Sequence, residues 1–99
     1  MISAKLKPVH PGEVLREEFL KALGLSEHDL AAGAHMELDT VRKIAKGRQS
    51  VTADIALRLS RFFGTSAHFW LCLQSEYDLD IAESKFGKRI EKEVVPLAA

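Results

Sequence analysis

Six cations, Arg42, Lys43, Lys46, Arg48, Arg58 and Arg61, fall within residues 40–61 against a single acid, Asp54. Guanidinium and ammonium groups clustered in this way suit a polyanion such as the phosphate backbone of DNA. Arginine carries a planar fork that matches two acceptors on guanine, whereas lysine is a point charge suited to phosphate. Spacing assigns the roles. If Val41, Ile44 and Ala45 turn inward at i, i+3 and i+4, then Asp39, Arg42, Lys43 and Lys46 share the outward face of one helix. Arg42 could then reach a guanine, Lys43 a base or a phosphate, and Lys46 and Arg48 the passing backbone. The bland alternative is a solvated helix face with no partner.

Other chemistry is poorly served. The four histidines, His10, His28, His35 and His68, show no metal-ligand spacing with the lone Cys72. No nucleophile recurs with a base and an orienting group. Neither a metal, a cofactor nor an enzymatic activity is expected. Cys72 alone cannot close an internal disulfide, and a reducing cytoplasm is the simplest location. No apolar run approaches the roughly 18 residues of a membrane span, and residues 1–5 lack the apolar core of a secretory signal.

The cations need elements to hold them. With 99 residues, 46% of them hydrophobic, the chain can bury one core. One domain is expected over residues 1–99, with a core at about 11–86 and a C-terminal extension at 87–99. The zero net charge hides blocks: −5 over residues 13–39, +5 over 40–61 and −4 over 76–84.

Periodicity is helical nearly throughout. A first helix starts at Pro11, turns Val14, Leu15, Phe19, Ala22 and Leu23 inward, and stops at Gly24. Ser26, with Asp29 three residues on, caps a second helix over about Glu27–Gly33, with Leu30 and Ala31 inward. The third covers about Leu38–Lys46 and ends at Gly47. Thr52 caps a fourth, which buries Ile55, Ala56, Leu59, Phe62 and Phe63 and ends at Gly64. Thr65 or Ser66 caps a fifth, with Gly87 as its stop. The run Phe69-Trp70-Leu71-Cys72-Leu73 is apolar nearly all round and calls for a second cover. Another subunit is the natural one, and Phe69, Trp70, Leu73 and Tyr77 are the candidate dimer contacts. Glu93–Leu97 reads as extended and could pair, as a short C-terminal strand, with residues 7–9 or with a second chain.

Several motifs in order carry a resemblance. The opening His10-Pro11-Gly12-Glu13-Val14-Leu15-Arg16-Glu17-Glu18-Phe19-Leu20, then Thr52-Ala53-Asp54-Ile55-Ala56-Leu57-Arg58-Leu59, Phe63-Gly64-Thr65-Ser66, Phe69-Trp70-Leu71-Cys72-Leu73-Gln74 and Val95-Pro96-Leu97, resemble HigA-type antitoxins, the group also labelled virulence-associated protein I. The likeness spans about residues 6–97. It implies an all-α, five-helix fold of the lambda-repressor-like type with a central helix-turn-helix. It implies a homodimer that binds a palindromic operator in duplex DNA. It further implies a RelE-like ribonuclease toxin (HigB-type) as partner. The acids Glu13, Glu17 and Glu18 are then candidate toxin contacts, with Glu76, Asp78, Asp80 and Glu83 as a second acidic surface.

The match is weakest in the helix-turn-helix. Glu27 stands where a phosphate-binding Gln is common, and His35 where the turn commonly has Gly. At the head of the third helix Leu38 and Asp39 occupy positions that often read bases, as a thymine-methyl contact and a cytosine acceptor. The DNA-contact candidates are therefore Leu38, Asp39, Thr40, Arg42, Lys43, Lys46 and Arg48. A stand-alone repressor without a toxin is one alternative. The other is an interaction module without DNA binding, which Glu27 and Asp39 make conceivable.

Overall fold

Helix starts written in the sequence become hydrogen bonds in the structure, a computed structural model that describes residues 8–98. Helix α1 is a continuous rod whose ends, Pro11–Val14 and Lys21–Leu23, are α-helical and whose middle, Leu15–Leu20, is a π-helix. Helix α2 is Glu27–Gly33, α3 is Leu38–Ala45, α4 is Ala53–Phe63 and α5 is Ala67–Glu93. Ser26 Oγ accepts from Asp29 N at 3.0 Å, and the Asp29 carboxylate accepts from Ser26 N at 2.9 Å, closing the capping box. Thr52 Oγ1 accepts from Ile55 N, and Ser66, rather than Thr65, caps α5 through Phe69 N. Thr65 has a different task. Its hydroxyl accepts from Trp70 Nε1 at 2.8 Å.

The core lies between α1 and the other four helices. Leu15, Leu30, Val41, Ile44, Leu59 and Trp70 are at most 1% exposed. Each such aliphatic side chain contributes about 1.5–3 kcal/mol by leaving water. Phe19, Phe63 and Phe69 surround Trp70, with ring centroids 5.0 Å from Trp70 for Phe19 and Phe69 and 6.2 Å for Phe63. The structure corrects one expected dimer contact, Trp70. Its indole is fully buried within its own protomer, with its N–H satisfied there, so it has no surface to offer a partner.

The π-helix changes which face of α1 is inside. Lys21 N donates to Arg16 O, five residues back, whereas Leu25 N→Leu20 O and Gly24 N→Lys21 O close a Schellman cap around left-handed Gly24. A π-helix fits more residues into each turn and so rotates less per residue, which brings Leu15 and Leu20, five apart, both inward, where a regular α-helix would have selected Leu15, Phe19, Ala22 and Leu23. Leu20 is 5% exposed and Leu23 60%. The expected inward positions of Ala22 and Leu23 are thereby corrected.

At the other end of the chain, Gly87 does not stop α5. It has an ordinary helical φ, unlike Gly24, Gly47 and Gly64, and good helix formers follow it. Arg89 sits over the Phe86 ring at 5.2 Å and pairs with Glu93 at 3.7 Å, and Val94 N still bonds Ile90 O. At 27 residues α5 is about 40 Å long. Its last turns carry the chain beyond the body, and no strand forms among the described residues. Lys7, part of the strand's expected mate, lies outside the described residues.

The π register makes a prediction opposite to that of a regular helix. Leu20→Ala should cost about 2–4 kcal/mol in urea unfolding. Leu23→Ala should change stability by less than about 0.5 kcal/mol. The reverse ranking would mean that α1 is α-helical throughout.

Candidate nucleic-acid interface

Helix α3 is held from behind by backbone contacts. Pro11 and Gly12 are buried against its C-terminal end. A Cβ on Gly12 would stand 1.7 Å from the Ile44 carbonyl oxygen, so no other residue fits there. One turn further, Arg16 Nη1 donates to Ala45 O, one of the carbonyls α3 leaves open at its end. The loop after α3 is tied to α5: Val51 N donates to the buried Gln74 Oε1 at 2.7 Å, and Gln74 Nε2 donates to Asp78 Oδ1 at 2.9 Å. These bonds fix the pose of α3 and of residues 46–52 together.

The turn between α2 and α3 is also pinned. His35 takes the left-handed conformation, φ 54°, where glycine is common. Gly33, two residues earlier, is helical. Its Cα faces Phe62 so closely that a Cβ would lie 2.2 Å from the ring. Arg58 Nη1 donates to His35 O at 2.7 Å and to Ala34 O at 3.3 Å, while its Nε holds Asp54 Oδ1 at 2.6 Å. Arg58 therefore belongs to the turn more than to an outer face.

With the back fixed, the front can be described. Val41, Ile44 and Ala45 are buried, and Asp39, Arg42, Lys43, Lys46 and Arg48 are exposed; Leu38 and Thr40 are half-buried, Leu38 against the core. All seven candidate residues lie on α3 or just past it. The face is less cationic than the bare count of residues suggests. Arg42 Nε lies 3.5 Å from Glu27 Oε1, and Lys43 Nζ lies 3.1 Å from Asp39 Oδ2. No ion pair engages Lys46 or Arg48 among the described residues. Reading the sequence alone missed Gln74, Arg16 and His10. Gln74 follows Trp70 by one helical turn on the same buried side, and His10 precedes a Pro at the first helical position, so each had a local signal; Arg16 had none.

The remaining candidates are separate. Glu13, Glu17 and Glu18 are exposed on α1. Glu17 bonds Lys21 at 3.2 Å and Arg16 at 3.3 Å, and these partners hold its carboxyl below the usual range. Phe69 is 37% exposed, whereas Leu73 packs on the core and Tyr77 meets the His10 ring edge-on at 4.8 Å.

Two short helices at a tight turn, the second with an exposed basic face, define a helix-turn-helix unit. The helix-turn-helix family pattern matches residues 17–70. Virulence-associated protein I of Dichelobacter nodosus is 43% identical over 94 residues, covering 95% of this chain and 85% of that protein. The structure of Pseudomonas aeruginosa antitoxin HigA with the higBA promoter superposes with a TM-score of 0.89 at 46% identity, over 92% of this chain and 99% of that one. Antitoxin GraA in complex with its operator gives 0.89 at 42% identity over the whole of both chains. The chain belongs to the helix-turn-helix family, in the group of HigA antitoxins and virulence-associated protein I.

His10 joins three parts of this framework. Its Nδ1 accepts from Gly12 N at 2.9 Å, and its ring lies against Gly47 and Tyr77. Burial lowers its pKa below the ordinary 6.5, against the opposing pull of Asp78. The folded chain thus binds this proton less readily than the unfolded chain. Its contribution to stability is complete above pH 6.5 and is lost as the pH falls from there towards the lowered folded value. Wild-type unfolding midpoints should fall between about pH 7 and 5, and His10→Asn, which keeps a capping acceptor without titrating, should flatten that slope. Parallel pH profiles for the two proteins would remove His10 from this role.

Proposed function

We propose that the chain is a dimeric antitoxin that binds operator DNA in its own promoter as an autorepressor and neutralises a RelE-like ribonuclease toxin. The observation that carries the DNA half is the outward face of α3, backed by a rigid frame and continued by the exposed cations Lys46 and Arg48. Arg42 addresses base edges, and Lys46 and Arg48 meet phosphates. The relatives solved with promoter and operator DNA support the same reading. A DNA target places the protein in the cytoplasm.

The second copy docks on the outer half of α5. Leu79, Phe86, Ile90 and Val94 are 41–61% exposed and form one stripe of that helix. Gly87 leaves a notch in the same groove. If two copies run antiparallel about an axis between positions 86 and 87, each Phe86 faces the other copy's Gly87 and each Leu79 faces the other copy's Val94. Large meets small, and apolar meets apolar. A protruding helix end of this length is marginal in water without such cover.

Neutralisation uses the acids of α1. A ribonuclease that binds RNA is expected to be basic, and Glu13 and Glu18 are exposed on α1 beside Glu17.

Two substitutions separate DNA contact from pairing in titrations of the promoter fragment. Lys46→Ala should lower the salt slope by about 0.9 for each phosphate left unneutralised and weaken all sequences alike. Phe86→Asp should give a monomer in sedimentation and cut operator affinity by about 100-fold or more. A dimer that survives Phe86→Asp would move the interface elsewhere. For the toxin, reversing Glu13 and Glu18 to Lys should slow association with the basic ribonuclease expected from the neighbouring reading frame, with little change in dissociation. Absence of any co-purifying ribonuclease would leave a stand-alone repressor.

A further inference from the structure

Glu27 is an anion where a DNA-facing surface would ordinarily exclude one. It stands in the first turn of α2 and meets Arg42, near the end of α3, across the helix-turn-helix. The 3.5 Å separation between Glu27 Oε1 and Arg42 Nε is an ion pair rather than a hydrogen bond. With side chains 34% and 48% exposed, the pair adds little to stability. Its geometry has more effect. A guanidinium can engage two acceptors through the Nε edge or through the fork of its two terminal nitrogens. The carboxylate stands at the Nε side. The terminal fork is left, and that fork fits O6 and N7 of a guanine. An arginine without this tether has a long rotatable stem and an anionic backbone nearby. It would settle on phosphate, a contact that carries no sequence information. Lys46 and Arg48 already serve the backbone. Arg42 is the one arginine on α3 itself, and its fork suits a base edge.

We propose that Glu27 is a positioning residue that determines operator specificity: it holds Arg42 by the Nε edge, keeps the guanidinium off the phosphates and presents its terminal fork to a guanine. The inference rests on the operator-binding reading above. The negative charge of Glu27 acts in the same direction, since it raises the cost of any pose in which α2 presses on the backbone.

The test compares two duplexes of equal length, one carrying the sequence upstream of this chain's own reading frame and one a scramble of it. Affinities are measured by fluorescence anisotropy from about 50 to 200 mM salt. For Glu27→Gln, binding to the scramble should tighten by about tenfold and its salt slope should steepen by about 0.9, as Arg42 reaches a phosphate. Promoter binding should tighten much less, so the ratio of the two affinities falls. Glu27→Asp keeps the charge but withdraws it by one methylene, and the ratio should fall there too. Arg42→Lys keeps the cation and removes the fork. Adding Glu27→Gln to Arg42→Lys should cost no further discrimination, because Glu27 acts through Arg42. Circular dichroism melts show that each variant is folded.

Equal tightening on both duplexes for Glu27→Gln, with Glu27→Asp unchanged, would reduce Glu27 to a general charge and overturn the inference. Additive losses of discrimination in the double variant would do so as well. A wild-type protein that binds both duplexes alike would overturn the operator reading itself, and this inference with it.

Discussion

The contact on which the rest of the molecule depends is backbone against backbone. The start of α1 lies so close to Ile44 that only a hydrogen fits on Gly12, and Arg16 from the next turn covers the carbonyl of Ala45. A helix of eight residues, α3, has little stability of its own. Here its end is neither frayed nor free to rock. Gln74 extends the same restraint to the loop beyond through Val51. Side chains on α3 that meet a duplex therefore start from a fixed platform, and a fixed platform loses less entropy on binding than a mobile one.

That platform carries fewer free charges than its composition promises. Arg58 serves the turn, Arg42 is matched by Glu27 and Lys43 by Asp39. The basic segment is thus already partly neutralised before DNA arrives. Non-specific attraction grows with each phosphate neutralised, whereas discrimination grows with each fork aimed at a base. Internal pairing lowers the first without removing the second. This agrees with a chain of zero net charge that nonetheless gathers six of its fourteen Lys and Arg residues within residues 40–61.

Where a signal was local, the sequence carried it. The caps at Ser26 and Thr52, the stops at Gly24 and Gly64, and the buried positions Leu30, Val41, Ile44, Ile55 and Leu59 all follow from residue type and 3.6-residue spacing. Misassignments arose where the period or direction was hidden. Leu20 was invisible because a π-helix breaks the spacing that selects it. Trp70 was ambiguous because the run from Phe69 to Leu73 is apolar on every side and so gives no direction. Gly87 resembled a stop because glycine is the usual residue there, yet the residues after it favour helix. At the site, the outward face of α3 was legible and its wiring was not. Nothing near Glu27 in the chain announces Arg42, and nothing near Arg16 announces Ala45. Such pairs exist only once the chain has folded back on itself.

A π-helix can be viewed as an α-helix that has taken in one extra residue. The stretch from Leu15 to Leu20 follows a start locked to α3 and itself carries the exposed acids Glu17 and Glu18. A one-residue deletion inside it would restore ordinary winding and leave Pro11, Gly12 and Gly24 at their stations. The acids would then be rotated relative to the DNA-facing side. Lineages could thus retune what the outer surface meets by insertion or deletion of a single codon, with the reading face undisturbed.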